Sequence, residues 1–131
     1  MPKIIIASGP VIVKDNKVLL NVSGQDSFWK FCGGKVKENE APTETAVREA
    51  LEELNIDIEI IDPIPFELNI KQEKNDELID IKLFHFLAKY SGKIKSGPDV
   101  IKWDWIPFEK LESENLAPNI IPTLKHFGFI K

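Results

Sequence analysis

Apolar residues along this chain group into runs with two different spacings, and each spacing predicts an element. "KIIIASGPVIV" and "KVLLNV" are dense in Ile, Val and Leu and predict strands over residues 3–13 and 17–22, with a tight turn at Asp15-Asn16 between them. "SGQDSFWKFCGG" then reads as a loop that passes into a short extended piece and ends on two glycines. Over residues 42–54 the spacing becomes helical. Val47, Ala50, Leu51 and Leu54 form an apolar stripe, Pro42 suits the first turn, and Asn55 suits the left-handed turn that ends a helix. "IDIEIIDPIPFELNI" and "ELIDIKLFHFLAKYSGKI" are strand-rich, with "KQEKNDE" between them as a hairpin tip. "KWDWIPFEKL" predicts a strand turning into a loop. "LAPNIIPTLKHFGFI" predicts a closing helix with Ile120, Ile121, Leu124 and Phe127 on its apolar side. Strands dominate and no repeat or linker interrupts them, so the expectation is one α+β domain over residues 1–131.

The helix over 42–54 carries an anomaly. Glu49, Glu52 and Glu53 stand at i, i+3 and i+4, so their carboxylates project side by side, and each like-charge pair costs a helix roughly 0.2–0.5 kcal/mol. From Glu38 to Asp62 there are nine acidic residues and one cation, Arg48. Arg48 is also the only arginine among 17 basic residues in a chain that otherwise uses lysine. An arginine kept in that background points to a planar, two-pronged grip on carboxylates that lysine performs badly. The acidic face is either plain solvated surface or a site for cations that the sequence does not encode.

Composition narrows the class. Hydrophobic content of 43% and charged content of 29% are ordinary for a globular protein. A net charge of −4 argues against a duplex-binding surface, and no stretch nears the ~20 apolar residues that span a bilayer. Gly9-Pro10 breaks the N-terminal apolar run, which reads as a strand rather than a signal peptide. One cysteine, Cys32, leaves no intramolecular disulfide to form, in keeping with a reducing compartment. The expectation is a cytoplasmic protein, monomer or homodimer, with no membrane or nucleic-acid polymer as partner.

The acidic stretch follows a definite pattern: Gly34, five residues, Glu40, seven residues, then Arg48-Glu49-Ala50-Leu51-Glu52-Glu53-Leu54-Asn55-Ile56. It resembles the signature of the Nudix hydrolase family, G-x5-E-x7-R-E-U-x-E-E-x-G-U, where U is aliphatic. Six fixed polar or glycine positions match, a coincidence with odds on the order of 10⁻⁷ per starting position at typical residue frequencies. Ala50 is small for its aliphatic position and Asn55 replaces a glycine, but Asn tolerates the same backbone turn. "WKFCGGK" is similar to the family's W-x-F-P-G-G-K lead-in, with Cys32 in place of proline, and "WIPFEKL" is similar to its W-x-P-x-x-x-L element. The similarity runs from about Val11 to Leu124.

Physical chemistry connects the glutamates to such a substrate. Pyrophosphate is polyanionic, repels an incoming nucleophile and needs its leaving charge spread. Mg²⁺ meets both needs and prefers carboxylate oxygens and water. By resemblance, Glu52 and Glu53 would be metal ligands, and Glu49 a further ligand or the general base on water. The Gly33 carbonyl would be a backbone ligand, Arg48 would orient Glu49 or Glu40, and Glu40 would belong to that supporting network or act as an outer ligand. Lys35 would neutralise phosphate. Asp99, six residues before Trp105, stands where MutT-like sequences have a glutamate, and Glu77 on the hairpin tip competes for the role. Mg²⁺ is the expected cofactor, with Mn²⁺ as a substitute.

For the rest of the substrate, Phe31, Trp29, Trp103 and Trp105 are stacking candidates set against ordinary core roles. Gly34 would let phosphate approach the main chain. "APNIIPTLK" resembles the segment in which MutT-like proteins read a purine with asparagine, which makes Asn119 a candidate against simple helix capping. Cys32, His85 and His126 show no catalytic or ligand spacing and read as structural or surface residues. The resemblance implies an α/β/α sandwich, a mixed curved sheet between the motif helix and a C-terminal helix. The expected activity is Mg²⁺-dependent cleavage of a nucleoside triphosphate to monophosphate and pyrophosphate. The alternatives are an ADP-ribose or dinucleoside polyphosphate pyrophosphatase, or a non-catalytic nucleotide sensor.

Overall fold

A computed structural model describes residues 3–131. Eight strands and two α-helices form in the order β1 (Lys3–Val11), β2 (Val13–Lys14), β3 (Lys17–Ser23), β4 (Gly34–Lys35), α1 (Pro42–Leu54), β5 (Asp57–Ile60), β6 (Phe66–Lys74), β7 (Glu77–Ser91), β8 (Val100–Pro107) and α2 (Ile120–His126), with a 3₁₀ turn over Phe108–Ser113. Strand β7 is the spine of a five-stranded mixed sheet. Along one edge it pairs in parallel with β1, from Lys3↔Ile79 to Val11↔Leu87. Its other edge takes β6 over its first part and β5 over its last, both antiparallel. Strand β4 closes the far side of β1, while β2, β3 and β8 form a three-stranded antiparallel sheet.

The run "KVLLNV" lies between two cores. Val18 and Leu20 pack with Leu111, Ile120 and Leu124 on the α2 side, and Leu19 packs with Ala50, Leu54 and Ile56 on the α1 side. A strand covered on both faces carries an unbroken apolar run rather than an alternating one. The sandwich expected from the sequence is therefore present, with α1 and α2 on opposite faces.

Four local expectations change. The first strand stops at Val11 and resumes at Val13. The hairpin tip shrinks to Asn75-Asp76, both at positive φ (54° and 61°), so β6 and β7 pair through most of "KQEKNDE". A two-residue loop with this backbone matches the strand twist better than a long one. The closing helix covers only Ile120–His126, because Pro118 and Asn119 form a turn before it and Gly128 (φ 80°) follows it.

The fourth change concerns α1. Its buried residues are Thr45, Ala46, Ala50 and Leu54, while Val47 and Leu51 lie open to solvent. Small side chains at positions 46 and 50 let the helix seat closely on the sheet, and the Ser8 hydroxyl on β1 donates to the Pro42 carbonyl at 2.6 Å. This turns the helix so that its buried face reaches toward the glutamates rather than away from them.

Candidate active site

Arg48 organises the acidic face with all five of its N–H donors. Its Nε donates to Glu40 Oε2 at 2.8 Å and Nη2 to Glu40 Oε1 at 3.0 Å, a two-pronged grip. Nη1 reaches Glu49 Oε1 at 2.9 Å and Glu52 Oε2 at 3.3 Å, and the remaining Nη2 hydrogen meets the Lys35 carbonyl at 3.1 Å. Glu40 also accepts from the Thr45 hydroxyl at 2.6 Å and the Lys37 amide at 3.1 Å. The Arg48 and Thr45 hydrogen bonds hold the Glu40 carboxyl well below the usual range, at about 2. Arg48 thus touches both carboxylates that the sequence offered it, Glu49 and Glu40, and Glu52 in addition.

Glu53 is in the opposite electrostatic state. Its Oε1 accepts from the Gly33 amide at 2.6 Å, which ties the helix to the glycine segment. Burial pushes its carboxyl up to about 7, and the charges of Glu49 and Glu52 add to that push. Gly34 carries no Cβ where one would lie 2.5 Å from Glu49 Oε1, so a side chain there would displace that glutamate. The structure shows the Gly33 amide engaged with Glu53; a ligand role for its carbonyl stays with the family resemblance.

Asp99 joins the same place. Glu49, Glu52, Glu53 and Asp99 line one depression of about 350 Å³. The loop before β8 is held there by the open end of α1, since the Lys95 amide donates to the Leu54 carbonyl at 2.9 Å and the Gly97 amide to the Glu53 carbonyl at 2.7 Å. A Cβ on Gly97 would meet the Glu52 carbonyl oxygen at 2.1 Å. Glu77, by contrast, sits beside the hairpin turn and does not line this depression.

Four carboxylates around one hollow make an all-oxygen donor set that suits Mg²⁺ or Mn²⁺. The raised Glu53 carboxyl reflects its burial first and the neighbouring Glu49 and Glu52 charges second. Among the described residues no three His, Cys, Asp or Glu side chains are gathered closely enough, as they stand, to hold a metal ion. Arg48 holds Glu49 and Glu52, and the Gly33 amide holds Glu53, in their present positions.

Across the Gly33–Lys35 strip lies a cavity of about 450 Å³ with a mainly apolar lining. Phe28, Phe31 and His85 contribute rings to its wall, Asn119 a carboxamide, and Lys30 and Lys35 cations. Of the four aromatic stacking candidates, Phe31 alone lines this cavity. Trp103 and Trp105 pack on the α1-side core, and Trp29 packs on the other core with Lys102 Nζ 5.0 Å from its ring centre. Asn119 holds the N-cap position of α2 without capping through its side chain; that side chain turns to His85 Nε2 at 2.9 Å.

Phe28 and His85 are among the cavity residues that the sequence reading did not assign to a site. Phe28 lay in a segment read simply as loop. His85, on β7, is 3% exposed yet borders the cavity. Its alternate-residue placement with Ile81 and Leu83 on one face of β7 was the available signal. Cys32 is buried, and burial with the nearby Glu53 and Glu49 charges pushes its thiol far up, in line with an inert packing role.

Residues 5–127 match the family model described as NUDIX domain. The chain is similar to an 8-oxo-dGTP diphosphatase of Proteus vulgaris, 38% identical over 60 residues, which are 43% of this chain and 54% of that protein. It is also similar to a CTP pyrophosphohydrolase of Escherichia coli K12, 29% identical over 130 residues, covering 95% of this chain and 92% of the relative. A crystal structure of a mutator MutT protein from Bacillus halodurans has the same fold, with a TM-score of 0.76 and 23% identity over 94% of this chain and 81% of that one.

Proposed function

The chain belongs to the NUDIX domain family, and from that premise we propose that it hydrolyses a nucleoside triphosphate to monophosphate and pyrophosphate with Mg²⁺. The observation that carries this reading is the shared Gly33–Lys35 strip. It lines the apolar, ring-lined cavity, and its Gly33 amide donates to Glu53, Gly34 abuts Glu49 and the Lys35 carbonyl accepts from Arg48, next to the four-carboxylate depression. A nucleotide with its base in the cavity extends its phosphates across the strip toward the acids. The names of the relatives, which act on 8-oxo-dGTP and CTP, support a nucleoside triphosphate over other nucleotide derivatives.

In this reading Glu52, Glu53 and Asp99 would hold the cation, with the Gly33 carbonyl alongside. Bound Mg²⁺ supplies charge neutralisation to the phosphates and acidifies water. Glu49 accepts the proton of the attacking water through the oxygen that Arg48 leaves free. Glu40 takes no part in the chemistry; through its two-pronged bond it fixes Arg48, which in turn fixes Glu49. Lys30 and Lys35 face the phosphates from the cavity side.

Incubation with Mg²⁺ and a nucleotide panel, followed by chromatographic identification of products, tests the proposal. The panel holds canonical and 8-oxo nucleoside triphosphates, ADP-ribose and diadenosine tetraphosphate. Monophosphate with pyrophosphate from a triphosphate is expected. Cleavage confined to ADP-ribose or the dinucleotide would move the substrate class, and tight binding without cleavage would make the chain a nucleotide sensor.

A further inference from the structure

His85 is buried at the wall of the cavity between Phe31, edge-on at 5.6 Å, and Phe66, tilted at 5.7 Å. Its Nδ1 lies 3.0 Å from the Phe66 carbonyl, its registered partner on β6. A carbonyl oxygen can only accept, so Nδ1 carries the imidazole proton and Nε2 keeps a lone pair. The atom facing that lone pair at 2.9 Å is therefore the Asn119 amide nitrogen, acting as donor. The carboxamide has one remaining strong acceptor, Oδ1, and among the described residues nothing donates to it. The backbone of Asn119 is occupied separately, its carbonyl accepting from the Thr123 hydroxyl at 2.6 Å. Rotating the amide would set Oδ1 against the Nε2 lone pair, so the imidazole decides which end of the amide faces outward.

We propose that His85 is a positioning residue that fixes the Asn119 carboxamide with its oxygen outward, so that the cavity selects a base bearing an amino group over one bearing a carbonyl at the same ring position. The occupant is thus an aminated base, adenine- or cytosine-like, rather than its oxo counterpart, hypoxanthine- or uracil-like. The inference rests on the reading above that a nucleotide base fills this cavity. An amino group donates to Oδ1, whereas a carbonyl at the same position faces Oδ1 acceptor to acceptor and can be met only by turning to the second Nδ2 hydrogen. Burial lowers the basicity of His85, and the nearby His126 acts in the same direction against the Phe66 carbonyl, which keeps the imidazole in the neutral form that this arrangement needs.

The test pairs nucleotides that differ only at that group, AMP against IMP and CMP against UMP, with dissociation constants measured by calorimetry. Wild-type protein is expected to bind the amino member of the pair it accepts about tenfold more tightly. His85→Phe removes the Nε2 acceptor, and the ratio should fall to near one. His85→Gln should restore much of it, because its amide can donate to the Phe66 carbonyl and accept from Asn119. If His85→Phe does not fold, His85→Gln and Asn119→Ala carry the comparison, the first keeping the ratio and the second losing it. Equal or inverted affinities in the wild type, no binding of any monophosphate, or a ratio unchanged in His85→Phe would each overturn the inference. Hydrolysis of the matching triphosphates is assayed alongside. Amino selectivity without hydrolysis sinks only the proposed reaction, and hydrolysis without selectivity sinks only the role of His85.

Discussion

Arg48 shows what a single residue contributes here. Five donors meet two oxygens of Glu40, one each of Glu49 and Glu52, and the Lys35 carbonyl. Lysine has three donors on a point charge and cannot reproduce that fork. Arg48→Lys is expected to lower kcat at least about tenfold and stability by about 1–3 kcal/mol, because partly buried carboxylates lose their partner. Steady-state kinetics and urea melts check both. Glu53 behaves in the opposite way. Its folded carboxyl titrates near 7 against 4.5 for the free group, so its contribution to stability is present below pH 4.5 and lost as pH rises through 7. In chelator, Glu53→Gln should therefore match the wild type near pH 4 and exceed it by on the order of 2–3 kcal/mol at pH 8. Urea midpoints across that range measure the difference; a variant less stable than wild type at pH 8 would contradict the account. At this scale the sequence was informative about which acids gather and which arginine holds them, since their spacing along one helix implies shared sides. It was silent on His85, whose neighbours Phe66 and Asn119 lie 19 and 34 residues away.

Among the elements, α1 had the right ends and half of the right face: Ala50 and Leu54 are buried as expected, Val47 and Leu51 are not. Proline at its start and Asn55 in the left-handed conformation (φ 59°) bound it as the sequence implied. The apolar stripe also included Val47 and Leu51, yet packing takes Ala46 in their place beside Ala50, since small residues bring a helix nearest the sheet. Periodicity ranks residues by hydrophobicity, whereas closeness depends on size. The loop from Gly92 to Asp99 was legible only in part. Asp99 was a candidate by position, but its placement depends on Gly97 and Lys95 reaching the last carbonyls of α1, a contact between segments 40 or more residues apart. Gly97→Ala should push this loop off the helix end, because its Cβ would clash with the Glu52 carbonyl. The expected result is a several-fold rise in the Mg²⁺ concentration needed for half-maximal rate, and faster hydrogen exchange at the residue 97 amide. Asp99→Asn should raise the Mg²⁺ requirement without changing that exchange rate, and exchange unchanged in Gly97→Ala would sink the docking argument.

For the whole molecule, the sandwich follows from a chain whose β3 feeds two cores and whose β7 takes three partners. The helix and strand runs announced the layers. They could not announce the parallel β1–β7 pairing, which joins residues about 76 apart and encodes no local signal. That pairing brings the N-terminal strand, the glycine strip and the β6–β7 hairpin around one cavity, while α1 brings Glu49 and Glu53 against the strip. No helix among the described residues is long and apolar enough to cross a membrane. A cation in the acidic depression binds the folded state alone, so Mg²⁺ should raise the melting temperature of the wild type. Glu53→Gln should lose most of that rise, and an equal rise in both would place the cation elsewhere.

The central claim is that these carboxylates hold the cation that drives pyrophosphate cleavage. The most direct measurement is the rate of monophosphate and pyrophosphate release from the best triphosphate substrate, with and without Mg²⁺, for the wild type and Glu53→Gln. The account predicts a rate that vanishes in chelator and falls at least about 100-fold in the variant, the loss of several kcal/mol of transition-state stabilisation. A variant that turns over within twofold of wild type at saturating Mg²⁺ would contradict it.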